Sequence, residues 1–172
     1  MYPSVMPILN GESETGVTLH VIRFGIDTGE IIAQQKIKID STMTSYDLYL
    51  ALNRAGSKLV CDYISRLISG DYAVTIQSSI GSTYTPPSYI DYSNLKFQTR
   101  ATAYQYQCQV RAFAFRPYQL LTFNGTPIVK CDITENFSTK KPGTILTNTS
   151  ESFTVSTIDY DVILYKDSTQ NV

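Results

Sequence analysis

The sequence predicts an α/β fold made of a strand pair, a long helix, a second helix and then a small antiparallel β region. Three observations carry that expectation. Val17, Leu19 and Val21 alternate with Thr18, His20 and Ile22, the period of a strand, just before a turn in which Gly25 and Gly29 bracket Ile-Asp-Thr. Leu48, Leu52, Ala55, Leu59, Ile64, Leu67 and Ile68 recur at helical spacing. From Leu120 onward, turn signals divide the chain into short segments of strand length.

Taken in order, the opening strand pair runs to about Ile39, with Asp27 placed in its turn by a rigid Gly-bracketed loop. Ser41 and Thr44 are N-cap candidates for the long helix, and Gly70 closes it. Tyr72 to Gln77 is expected as a short strand, and Gly81 to Tyr89 as a loop, since the adjacent Pro86 and Pro87 break both ladders. Thr99 to Phe113 is expected as the second helix, with Tyr104, Cys108 and Ala112 down one side and an end shortly before Pro117. Phe123-Asn124-Gly125-Thr126 is a hairpin signal, and Lys141-Pro142-Gly143 and Asn148 to Glu151 are further turns. Ser152 to Lys166 reads as one long strand or a bent pair. No repeat or linker divides the chain into independent cores.

The 172 residues, 42% hydrophobic and 17% charged, suffice for one ordinary folded domain. A net charge of −1 gives no electrostatic reason to expect nucleic acid or an anionic membrane as partner. Met1 to Asn10 lacks the pattern of a signal peptide and no segment reaches membrane-spanning length, so a cytoplasmic location is expected. Cys61, Cys108 and Cys131 have no metal-ligand spacing and read as reduced, small apolar core residues. Three Asn-x-Ser/Thr matches, at Asn124, Asn136 and Asn148, read as chance in a chain rich in these residues. His20, the only histidine, lies on a strand and reads as structural; no Cys/His zinc cluster and no Gly-rich phosphate loop is present.

An Asp in a Gly-flanked turn often does no more than bond its own backbone. Asp27-Thr28-Gly29 also matches the aspartic protease signature, but in a single copy followed by Glu30, so only a homodimer satisfies that reading. A longer match singles Asp27 out. Thr15-Gly16-Val17-Thr18 leading into Gly25-Ile26-Asp27-Thr28-Gly29 resembles the signature of folate-dependent formyltransferases, whose loop Asp is catalytic. Far along the chain, Gln109-Val110-Arg111-Ala112-Phe113 and then Tyr118-Gln119 resemble the helix-end motif N-x-[IV]-R-A-F of the subgroup acting on nucleotide-linked amino sugars. Cys108 stands where that motif carries Asn. Thr83-Tyr84, Ile90-Asp91-Tyr92 and Ser156 to Asp161 also fit the subgroup, so the resemblance runs from about Leu9 to about Asp167.

The resemblance implies a set of roles. Asp27 is the catalytic carboxylate; Phe24, Gly25 and Ile26 face the folate donor, 10-formyltetrahydrofolate; Tyr84, Arg111 and Gln119 meet the dTDP-linked amino sugar. For Arg111 the residue types allow three readings: a helix-end cation on the last carbonyls, a guanidinium on a substrate phosphate, or one on a carboxylate that holds the loop. Residues 1–115 correspond to the remainder of the catalytic domain and 116–172 to its C-terminal β subdomain. The family's N-x-H motif, which supplies its other catalytic residues, occurs nowhere in the sequence. The chain therefore resembles only the later two thirds of such an enzyme, is expected to be inactive alone, and is expected to need an N-terminal half or a homodimer to cover its apolar faces. A sugar-nucleotide-binding or regulatory module without turnover is the alternative expectation, and a dimeric protease the weaker one.

Overall fold

The computed structural model describes residues 3–78, 83–115 and 120–168. After a short helix α1 (Met6–Leu9) come the paired strands β1 (Glu14–His20) and β2 (Ile31–Lys38). They run antiparallel from Glu14 opposite Lys38 to His20 opposite Ile31, with a bulge after Leu19. The expected strand pair therefore forms, with the Asp27 loop as its connection.

Helix α2 (Ser45–Ser69) begins where Thr44 and Asp47 form a capping box, each side chain bonding the other's backbone N–H. It ends at Gly70 in the left-handed region. Ser45, Leu48, Leu52, Ala55 and Leu59 are buried along one stripe. Beyond Leu59 that stripe runs out: Ile64 is exposed, Ile68 is 81% exposed, and Leu67 is only half buried. Residues 72–77 do not form the expected strand. Their one ladder partner is a single antiparallel bridge, in which Ile31 and Thr75 exchange two N–H···O bonds of 2.8 Å, and one bridge is not a strand. Gly81 and Ser82 of the expected loop lie outside the described residues; a 3₁₀ turn, Pro87–Tyr89, forms its end, and a second, Tyr92–Asn94, follows it.

Helix α3 (Ala103–Phe113) starts four residues later than expected. Thr102 forms a capping box with Gln105, and Asp159, from far along the chain, accepts the Ala103 N–H at 2.7 Å. Strands β3 (Thr122–Phe123), β4 (Thr126–Ile133), β5 (Ile145–Asn148), β6 (Ser152–Val155) and β7 (Val162–Lys166) form one antiparallel sheet in the order β3-β4-β7-β6-β5. The β3–β4 hairpin turns at Asn124 (φ +48°) and Gly125 (φ +76°), the positive φ pair that an Asn-Gly dipeptide supplies. The segment 152–166 thus resolves as a pair of strands facing each other.

Helix α3 sits between two apolar clusters, which is why nearly all of it is buried. Ala103, Tyr106 and Val110 pack on the inward residues of the sheet, Phe123, Ile128, Cys131, Phe153, Val155, Val162 and Leu164. Ala112 and Phe113 pack instead with Val5, Ile8, Leu48, Leu52, Ile90 and Leu121. Tyr106 donates its hydroxyl to the Thr99 carbonyl at 2.9 Å, and burial holds its phenol well above the usual range. Of the three cysteines, Cys108 and Cys131 are the expected core residues, while Cys61 is exposed: two positions past Leu59 turns it about 200° around the helix, away from the packed stripe. Among the described residues no helix is long and apolar enough to cross a membrane.

Candidate active site

The β1–β2 connection carries its carboxylate in a fixed posture. Asp27 has φ +54°, the left-handed region that costs a residue with a Cβ about 1–2 kcal/mol and that Asp tolerates better than most. Gly29 follows because nothing else fits: a Cβ there would lie 1.5 Å from the Val21 carbonyl oxygen. The two strands close at that point through the Val21 N–H on the Glu30 carbonyl at 2.9 Å. Across the base of the loop, Arg23 donates from Nε and Nη2 to both Glu30 carboxylate oxygens at 3.0 Å. That paired bond lowers the Glu30 carboxyl and raises the Arg23 guanidinium. Thr28 donates to the Phe24 carbonyl at 3.3 Å.

Residues 22 to 28 are all exposed, and the Asp27 side chain is 82% exposed. His20, at the end of β1, points Nε2 at Asp27 Oδ1 across 3.6 Å. Its Nδ1 lies 2.9 Å from the Val21 carbonyl, which can only accept, so Nδ1 carries the proton and Nε2 is the nitrogen turned to the carboxylate. A carboxylate so placed can orient an imidazole or stabilise an imidazolium. Among the described residues no three His, Cys, Asp or Glu side chains converge to hold a metal ion.

The expected site residues fall into separate places. Phe24, Gly25, Ile26 and Asp27 form one exposed loop. Tyr84 is 73% exposed, and Gln119 lies outside the described residues. Arg111 is not on the surface: at 8% exposure it donates Nη1 to the carbonyls of Asp40 (3.0 Å) and Met43 (3.3 Å), while Nη2 faces the Cys108 sulfur at 3.5 Å. Its Nε has no partner. Of the readings left open for Arg111, the geometry favours a cation on backbone carbonyls, those of the turn before α2 rather than the end of its own helix. Sequence reasoning missed Gln77, whose side-chain amide donates to the carbonyls of Asp27 (2.9 Å) and Gly29. No local pattern marks it, because its partners lie about fifty residues back in the chain.

The family profile described as "Formyl transferase" matches residues 2–64. The crystal structure of the N-formyltransferase from Helicobacter canadensis in complex with folinic acid and dTDP-3-aminofucose superposes with a TM-score of 0.85 at 36% identity, over 97% of this chain and 61% of that one. WlaRD, a sugar 3N-formyltransferase crystallised with dTDP and 5-N-formyl-THF, gives 0.85 at 33% identity over 98% and 60%. Among curated proteins, the methionyl-tRNA formyltransferase of Coxiella burnetii is 29% identical over 146 residues, 84% of this chain and 46% of its own. The chain spans about half the length of the curated relatives it matches. In sequence and in fold, the chain therefore resembles part of the folate-dependent formyltransferases, and within them the sugar N-formyltransferases of the dTDP-amino-sugar type.

Proposed function

We propose that this chain is the later part of an N-formyltransferase that moves a formyl group from 10-formyltetrahydrofolate to the amine of a dTDP-linked amino sugar, and that it does not turn over alone. The observation that carries the reading is the pinned, left-handed Asp27 in a chain that superposes almost throughout on the Helicobacter canadensis enzyme. The folate donor supplies the activated formyl carbon. The loop suits such a ligand: exposed Phe24 and Ile26 offer apolar surface to a flat ring, beside the exposed carboxylate of Asp27. Asp27 holds and orients an imidazole that the completing part would bring, and favours its protonated form. Tyr84 is exposed and can meet the sugar nucleotide, whereas Arg111 acts from inside by holding the 40–43 turn. Residues 1–115 serve as the catalytic remainder and 116–172 as the β subdomain.

The curated relatives act on methionyl-tRNA, but a net charge of −1 supplies little attraction for a polyanion, which favours the amino sugar. The completing part has a surface to occupy: Ile64, Ile68, Val74 and Ile76 are exposed together with Ile22, Phe24 and Ile26.

The test is complementation. The chain is mixed with the N-terminal part of the Helicobacter canadensis enzyme and assayed with 10-formyltetrahydrofolate and dTDP-3-aminofucose. Turnover is expected only in the mixture, and Asp27→Asn should lower it by about a thousandfold or more, since members of a catalytic unit fail together. Turnover by the chain alone, or full activity of Asp27→Asn in the mixture, overturns the proposal.

A further inference from the structure

The Asp27 loop has a shape that its own contents do not explain. Every side chain from 22 to 28 is exposed, so burial contributes nothing to holding it. The bidentate Arg23–Glu30 pair closes the base of the loop, but it joins residues 23 and 30 and touches neither peptide plane beside Asp27. The Thr28 hydroxyl reaches the Phe24 carbonyl at a long 3.3 Å. Yet Asp27 stands in the left-handed region, where an unrestrained Asp would relax.

We infer that Gln77 is the positioning residue of this loop, clamping the carbonyls on both sides of Thr28 so that the Asp27 carboxylate stays turned toward His20; the inference rests on the reading of Asp27 as the working carboxylate. Both partners are carbonyls, which only accept, so the side-chain nitrogen must face them, and its two hydrogens match two acceptors. Fixing the Asp27 carbonyl fixes the peptide plane that follows Asp27, and fixing the Gly29 carbonyl fixes the one that re-enters β2. Gln77 is itself delivered by the bridge between Thr75 and Ile31, in which Thr75 lies two residues before Gln77 and Ile31 two residues after Gly29 and four after Asp27. Residues 72–77 thus have a purpose that their lack of a strand ladder hides. They form a short brace whose last side chain sets the loop.

The inference has a test that does not depend on turnover. The chain has a single histidine, so the His20 ring gives one Cε1–H line in a proton NMR spectrum, and a carboxylate 3.6 Å from that ring contributes to its position. Asp27→Asn should move that line. Gln77→Leu should move it in the same direction and should speed amide exchange at residues 25–29 by about tenfold or more, with exchange in α2 and α3 unchanged. Gln77→Glu, which turns a carboxylate on the same carbonyls, should speed the loop amides likewise. If the His20 line and the loop amides of Gln77→Leu match those of the wild type, the clamp is refuted. A loosened loop in every part of the chain, including α2 and α3, also refutes it, because the effect is then general destabilisation. In the complemented reaction Gln77→Leu should lower kcat and leave KM for the dTDP-sugar unchanged. Should the loop loosen while Asp27→Asn costs nothing in that reaction, the clamp stands and the functional reading of Asp27 falls.

Discussion

Gly29→Ala separates the shape of the site from the stability of the fold. The new Cβ would sit 1.5 Å from the Val21 carbonyl oxygen, where real contacts keep at least 3.0 Å, so the two strands must part by about 1.5 Å. They would part where the Val21 N–H meets the Glu30 carbonyl at 2.9 Å, and a gap near 4.4 Å is no longer a hydrogen bond. Losing that bond costs about 0.5–1.5 kcal/mol. Residual overlap adds about 1–3 kcal/mol. The sum, about 1.5–4.5 kcal/mol, falls on the closed loop and not on the whole molecule, because residues 22–28 pack in neither apolar cluster. At about 1.4 kcal/mol per factor of ten, loop opening should rise by roughly one to three orders of magnitude. Hydrogen exchange at residues 21–31 reads this directly. Gly56→Ala is the control: nothing lies within 4 Å of its Cβ, and Ala in a helix interior should stabilise by about 0.5–1 kcal/mol. If the loop amides of Gly29→Ala exchange at the wild-type rate, the close approach that defines the loop is wrong.

Two further outcomes follow from the interior. Burial pushes the Asp159 carboxyl up, but the Ala103 and Tyr160 N–H groups and the Thr157 hydroxyl more than offset it, leaving it below its ordinary value of 3.8. Its stabilisation is therefore complete above that value and lost as pH falls through the lower folded one, so acid unfolding should be less steep below pH 4 in Asp159→Asn. At neutral pH Asp159→Ala should cost about 1–2 kcal/mol in denaturant unfolding, the loss of a helix cap. Cys61 is exposed, whereas Cys108 is buried and burial pushes the Cys131 thiol up to about 12, so a thiol reagent should label Cys61 alone in the native protein and all three cysteines only after denaturation.

Local chemistry made much of this fold legible. The Thr44–Asp47 capping box, the Gly70 stop, the Asn124-Gly125 turn and the strand pair around Asp27 are all written within a few residues of where they act. What escaped depends on partners far away in the chain. The start of α3 is set partly by Asp159, 56 residues on. Three readings were open for Arg111, and its acceptors are carbonyls 68 and 71 residues earlier that nothing around Arg111 announces. Residues 72–77 read as a strand, yet all are exposed and among the described residues only Ile31 and Thr75 pair, so no sheet forms there. The Cys61 error was avoidable, since its position relative to Leu59 already turns it from the buried stripe.

The distribution of apolar exposure connects stability to the proposed chemistry. In the C-terminal sheet, Phe153, Val155, Val162 and Leu164 close against Tyr106 and Val110, so that region supplies its own core. In the front of the chain, large apolar side chains left in water recur between 22 and 76, among them Ile22, Phe24, Ile26, Ile64, Ile68, Val74 and Ile76. The Asp27 loop lies within that stretch and is braced by its last residues. The exposed loop, which has no packing of its own, is held by the Gln77 amide on two of its backbone carbonyls. Carbonyl clamps set geometry without requiring buried area, so the carboxylate can keep its posture while the apolar surface around it stays open to a ligand and to a completing chain.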